Sequence, residues 1–167
     1  MKTKFTIFLL LTIPLSSYSQ SNSIFSKWYV GLYGGLLTEK FVDYDGVGLV
    51  ELKSNLTKNI FLNLSMGYCR LNTSPKHSAI PISLGASYNI MHGHSFPYLI
   101  FNFTYNYHED PVNVNGILKQ NTLGYAFGGG IFYNMREHWK LDLRYLYNHQ
   151  FDFKNLHQII IGCGYLF

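Results

Sequence analysis

The sequence predicts an all-β fold: an eight-stranded, antiparallel, up-and-down transmembrane β-barrel, preceded by a cleaved signal peptide. Three observations carry this expectation. Segments of roughly ten residues alternate apolar and polar side chains with a period of two, repeatedly along the chain. The last segment, HQIIIGCGYLF, stops on Phe167 in phase with its apolar face, whereas soluble domains usually finish in a frayed polar tail. Aromatic residues make up 17% of the chain and charged residues only 13%, against about 25% charge in a typical soluble domain.

The N-terminus reads as an export signal. Lys2 and Lys4 form a positive start, Phe5 to Leu15 an apolar run, and Ser17-Tyr18-Ser19 a small-x-small cleavage site. That run is shorter than the roughly 20 residues a spanning helix needs. Residues 1–19 are therefore assigned to the signal and 20–167 to one barrel domain. No Cys follows the cleavage site, which argues against a lipoprotein. Loss of Lys2 and Lys4 lowers the formal charge of +4 by two, to +2, too little and too scattered to suggest nucleic acid.

Eight strands follow in order. The first spans Lys27 to Leu36 and the second Gly46 to Leu56. The third, Ile60 to Leu71, sets Leu62, Leu64, Met66 and Tyr68 against Asn63, Ser65, Gly67 and Cys69. The fourth, Ala79 to Ile90, alternates likewise, although Pro81 withholds a ladder donor. The fifth, Pro97 to His108, opposes Leu99, Phe101, Phe103, Tyr105 and Tyr107 to Asn102, Thr104 and Asn106. In the sixth, Thr122 to Asn134, bulky residues face Gly124, Ala126, Gly128 and Gly130. The seventh, Trp139 to Asn148, places Leu141, Leu143, Tyr145 and Tyr147 opposite Lys140, Asp142 and Arg144. The eighth is His157 to Phe167.

Connections after even strands are short (Thr57 to Asn59, Met91 to Ser95, Met135 to His138), and those after odd strands longer, up to Glu109 to Asn121. That parity suits short periplasmic turns and longer external loops. A soluble barrel would reverse the faces and dress its polar face in charges. Here the polar face is mostly Gly, Ser, Ala, Asn and Thr, suited to a narrow filled interior, so the large side chains should point into lipid. Trp28, Tyr88, Tyr133, Trp139 and Phe167 are expected at the periplasmic interface. Tyr68, Tyr105, Tyr107, Tyr125, Tyr145 and Tyr147 are expected in an outer girdle.

Three stretches, WYVGLYGG, LGYAFGGGIFYNMREHWKLDLRYLY and the terminal IIIGCGYLF, together resemble the outer-membrane β-barrel domain family of eight-stranded proteins, the group of the outer membrane protein A barrel. The resemblance covers the whole mature chain. It implies residence in the outer membrane of a Gram-negative cell and insertion by the outer-membrane assembly machinery. Tyr165 and Phe167 of the last strand would then form the recognition signal. It implies no particular activity.

Charges within strands are the next candidates for chemistry. Glu51 and Lys53 fall on the inward face of strand two, Asp142 and Arg144 on that of strand seven. Facing lipid at mid-depth, an Arg or Lys would cost roughly 2–4 kcal/mol. Strands two and seven are separated only by one and eight, so the four can meet across the lumen. The expected result is a polar network that plugs a monomeric barrel. The sharper alternative is a narrow ion or proton path.

Seven histidines show no HExxH or Cys/His zinc spacing, and no cofactor pattern is present. His77, His108 and His149 are expected in or beside external loops. An enzymatic alternative is modification of lipid A. The lipid A deacylase family carries a His-x-Ser pair late in the chain, whereas here His149 is followed by Gln150 and Phe151, with no serine up to Phe167. His149, Asp152 and His157 would have to form an unfamiliar site without a hydroxyl nucleophile. Cys69 should face inward and Cys163 outward, on strands that are not neighbours, leaving two free thiols. Outer-membrane lipids and an unidentified ligand of the external loops, especially HEDPVNVNGILKQN from His108 to Asn121, are the expected partners.

Overall fold

The computed structural model describes residues 27–38, 45–71, 77–91, 93–114, 117–150 and 155–167. The signal at residues 1–19, and with it Lys2 and Lys4, lies outside the described residues. Eight strands run in chain order: β1 (Trp28–Thr38), β2 (Asp45–Asn55), β3 (Ile60–Leu71), β4 (His77–Asn89), β5 (Ser95–Val114), β6 (Ile117–Asn134), β7 (Trp139–Gln150) and β8 (Leu156–Leu166). Each pairs antiparallel with the next, and β8 returns to β1, so the sheet is a closed barrel. No helix among the described residues is long and apolar enough to cross a membrane. Closure of the sheet gives the backbone groups of the wall partners inside it.

The seam between β1 and β8 runs from Tyr29 opposite Leu166 to Thr38 opposite His157. At its end the Phe167 N–H donates to the Trp28 carbonyl at 2.7 Å, and the Leu166 N–H donates to the His138 carbonyl at 2.8 Å. Phe167 therefore finishes the wall beside Trp28. Trp28, Tyr88, Tyr133, Trp139 and Phe167 all lie at this end, here termed the terminal rim. Tyr68, Tyr105, Tyr107 and Tyr145 are exposed near the opposite, far rim. Between the two rims the outward positions carry Leu32, Leu64, Leu84, Leu99, Phe103, Leu123 and Leu143, an apolar band all round the barrel.

Two expectations are corrected. The long loop from Glu109 to Asn121 is for the most part strand: β5 is 20 residues long and β6 is 18, against 11 to 13 for the others. Val114 pairs with Ile117, so only two residues join these strands, and the parity of connection lengths fails there. In the sequence those two are Asn115-Gly116, a dipeptide that tight hairpins favour. Pairing to β4 stops at His108 and pairing to β7 at Gly124, so the β5–β6 hairpin rises about 20 Å beyond its neighbours. Its register shifts between Tyr107 and Val112.

The second correction concerns His108. Expected as the last residue of its strand, beside an external loop, it is instead buried well within β5, which runs on to Val114, with its ring Nε2 3.1 Å from the Thr122 hydroxyl on β6. The inward phase of β5 simply continues past the expected strand end. Pro81 keeps its place inside β4, and the β3–β4 pairing lapses there, between Met66 opposite Ile82 and Cys69 opposite Ala79.

Candidate functional site: the barrel interior

Inward positions recur every second residue, and they fill the lumen in layers. Nearest the terminal rim lies an aromatic layer of Tyr29, Tyr33, Phe96, Tyr98 and Phe132, closed by Ile160. Phe132 stacks on Tyr98 with ring centres 4.7 Å apart and tilts against Phe96 at 5.4 Å. Sequence reasoning sent the bulky side chains outward and missed this layer. The signal was present in the glycines of β8 and β1. A Cβ at Gly162 or Gly164 would collide with the rings of Tyr33 and Tyr29, and one at Gly31 would meet both rings. Small residues on adjacent strands thus make room for large ones pointing in.

The charged residues sit against this layer. Arg144 reaches across the lumen from β7 to Glu51 on β2, donating from Nη1 to Oε2 at 2.6 Å and from Nη2 to Oε1 at 3.1 Å. The same Nη2 also donates to Asp142 Oδ2. The Lys53 ammonium lies 2.9 Å from Glu51 Oε1 and 3.8 Å from Asp142 Oδ2. All four residues are at most 2% exposed. Two cations and two carboxylates cancel formally, so the cluster is neutral as a unit. The structure brings together all four charged residues singled out from sequence.

The aromatic layer and the quartet are joined. The Tyr98 hydroxyl donates to Asp142 Oδ1 at 2.7 Å, using the carboxylate oxygen that Arg144 leaves open. The Arg144 guanidinium lies 4.2 Å from the Tyr33 ring centre, and the Lys53 ammonium 4.3 Å from that of Phe132. Cations over ring faces gain from the ring quadrupole, and more so away from water. Desolvating four charges is costly, and bidentate geometry with ring contacts is what offsets it.

Beyond the quartet the lumen opens into a cavity of about 50 Å³, with Glu51 and Arg144 on its floor and Asn102, Thr104, Asn106 and Gln158 among its walls. A volume of that size admits about three or four waters. Leu37, Val47, Cys69, Ala79 and Leu156 form an apolar cluster toward the far rim. Both thiols are free, with Cys69 buried and its thiol donating to the Ala79 carbonyl at 3.5 Å.

Among the described residues, His149 and His157 have different partners. His149 Nδ1 lies 2.6 Å from Asn155 Oδ1, and His157 Nδ1 lies 2.6 Å from the Tyr145 hydroxyl. Asp152 lies outside the described residues. Among the described residues, no three His, Cys, Asp or Glu side chains cluster as metal ligands. At the terminal rim, Tyr165 packs on His138 at 5.3 Å, on Trp139 at 5.3 Å and on Phe167 at 5.0 Å.

Comparison with known proteins follows the fold. The sequence profile of a family described as outer membrane protein beta-barrel domain matches residues 6–167. No curated protein matches the sequence. The N-terminal barrel domain of Pseudomonas aeruginosa OprF is similar in structure, with a TM-score of 0.63 at 14% identity, covering 84% of this chain and 97% of that one. Neisserial surface protein A gives 0.60 at 15%, covering 84% and 94%. The outer membrane enzyme PagL gives 0.55 at 8%, covering 81% and 97%. At such identities the likeness is one of fold alone.

Proposed function

Because this chain belongs to the outer membrane protein beta-barrel domain family, we propose that it is an exported, integral outer-membrane protein whose barrel is closed to solutes and whose role is structural or one of surface interaction through its far end. The observation that carries this reading is the filled lumen. An aromatic layer and a neutral, mutually bonded charge quartet stand in series, and the cavity beside them holds about three or four waters. A hydrated ion or a metabolite would have to displace side chains that hold one another, which supports a plug rather than a pore.

With the interior occupied, specificity falls to what projects from the wall. Among the described residues the β5–β6 hairpin is the largest such element, extending beyond its last pairings with β4 at His108 and with β7 at Gly124. Strand edges offer backbone donors and acceptors to a partner. A role without catalysis is favoured by the different neighbours of His149 and His157 and by the lack of a serine between Asn148 and Phe167. Tyr165 and Phe167, exposed along the edge of the last strand before closure, are proposed as the signal read by the assembly machinery.

The test is outer-membrane fractionation with a boiled and unboiled gel, followed by planar-bilayer recording. The expected result is membrane-bound protein with a heat-dependent mobility shift and no stable conductance steps. Soluble periplasmic protein, or steady conductance of a salt solution, would overturn the reading. Mass spectrometry of lipid A from cells with and without the protein tests the enzymatic alternative, and no change in acyl chains is expected.

A further inference from the structure

We propose that the β3–β5 wall of the lumen carries a file of water that conducts protons past the charge quartet while excluding other ions. The starting point is a set of buried amides whose hydrogen-bonding capacity is unmet. Asn63 Nδ2, Asn89 Oδ1, Asn102 Oδ1 and Asn106 Nδ2 have no hydrogen-bond partner among the described residues, and each residue is at most 4% exposed. An unmet buried polar atom costs about 1–3 kcal/mol. Four on one wall point to water as the resident partner.

Their placement is what makes a path. All four are on the inward phase of three adjacent strands, with Asn63 on β3, Asn89 on β4, and Asn102 and Asn106 on β5. Asn102 and Asn106 line the cavity on the far side of the quartet, together with Ser65, Ser83 and Thr104. Ser83 and Thr104 are linked at 3.2 Å. Toward the terminal rim, the Ser87 hydroxyl donates to Asn63 Oδ1 at 3.2 Å, and Asn89 is the last residue of its strand. Register bridges the two halves: Gly85 on β4 stands opposite both Asn63 and Asn102. The aromatic layer draws its rings from β1, β5 and β6, so on β3 and β4 it leaves Asn63, Ser65, Ser83, Ser87 and Asn89 on the lumen side, while Cys69 and Ala79 join the apolar cluster nearer the far rim.

The quartet borders this stripe on its β2 side. Glu51 stands opposite Ser65 and Lys53 opposite Asn63, so the charges flank the file from β2. Their cancellation removes the net field that would repel a proton, and their mutual bonds keep the groups from serving as ion ligands. A potassium ion must bring its own volume past the side chains of Ser87 and Asn63, which are hydrogen-bonded at 3.2 Å. A proton moves by reorientation of hydrogen bonds along water and side-chain groups and needs no such volume. The wall is therefore selective by size, its Ser and Thr hydroxyls each able to donate and accept, and its Asn amides donating through nitrogen and accepting through oxygen.

The test uses the mature barrel refolded into phospholipid vesicles loaded with a pH-sensitive dye. After an imposed pH step, the protein-containing vesicles should equilibrate at least tenfold faster than protein-free ones, with potassium flux at the protein-free level. Ser87→Val, which replaces the hydroxyl with two methyl groups, should return proton flux toward the protein-free rate. If that variant shows no heat-dependent mobility shift, Asn102→Leu on the other side of the quartet serves instead. Proton flux at the protein-free rate, equal passage of potassium, or unchanged flux in the folded variant would each overturn the proposal.

Discussion

Arg144 and Glu51, on strands that are not neighbours in the sheet, meet across the lumen through two parallel hydrogen bonds of 2.6 and 3.1 Å. This fork ties β7 to β2 over the heads of β8 and β1, the strands that close the barrel. Arg144→Met removes it and leaves Glu51 and Asp142 with Lys53 alone, at a net charge of minus one inside the wall. Loss of one partner of a buried pair costs about 3–5 kcal/mol. Urea titration of the barrel in lipid vesicles should show that loss. The double variant Arg144→Met with Glu51→Leu should be less destabilised than the single one, since no odd charge remains. Equal stability of Arg144→Met and the parent would mean that the fork contributes nothing.

Tyr98 offers a finer probe of the same cluster. Its hydroxyl donates to Asp142 at 2.7 Å, and the residue is 1% exposed. Tyr98→Phe keeps the ring stacked on Phe132 and takes away one charge-assisted bond, worth about 1.5–3 kcal/mol. The unfolding midpoint should fall while the mobility shift on boiling persists. A variant as stable as the parent would show that Asp142 is adequately satisfied by Arg144 and Lys53.

How far the sequence could be read depended on whether a position repeated a pattern. Strand order, inward phase and the meeting of Glu51, Lys53, Asp142 and Arg144 follow from a two-residue period, since strands two and seven flank the closing pair. The aromatic layer was harder to see because its message is split across strands. Tyr33 reads as a lipid-facing residue until Gly162 is placed beside it, and that pairing is a matter of register rather than of local pattern. The hairpin was hidden for another reason. Asp110, Pro111 and Asn113 have low strand propensity, yet Val112, Asn113 and Val114 pair with Lys119, Leu118 and Ile117.

Gly162 therefore makes a prediction about packing. Gly162→Val puts side-chain atoms where the Tyr33 ring lies, and the ring also packs against the Arg144 guanidinium. Overpacking of this kind costs about 1–3 kcal/mol. Tyr33→Ala should partly rescue the Gly162→Val barrel by vacating the ring's place, although alone it is destabilising. Vesicle unfolding of the two single variants and the double would reveal the coupling. Strict additivity would mean that residue and ring do not share the space.

The hairpin should be separable from the barrel. Joining Glu109 to Gln120 through a two-residue Asn-Gly turn removes strand pairs that involve neither β4 nor β7. The barrel wall retains its pairing, so stability should change by less than about 1 kcal/mol, in the range of other replacements away from the core. Loss of the heat-dependent mobility shift would instead make the hairpin part of the folding unit.

Phe167 separates assembly from stability. Its backbone N–H closes the seam on Trp28, a bond that any side chain but proline preserves, and its ring is 58% exposed at the rim. Phe167→Gln therefore keeps the seam and the Tyr165 packing on His138 and Trp139. Refolding of purified protein into vesicles should match the parent in yield and midpoint. In cells, the amount of folded protein in the outer membrane should fall several-fold, with unfolded chain accumulating in the periplasm, because the ring is proposed to be read before the barrel closes. Normal yield in cells would remove Phe167 from the signal, and a matching loss in vesicles would make its role structural.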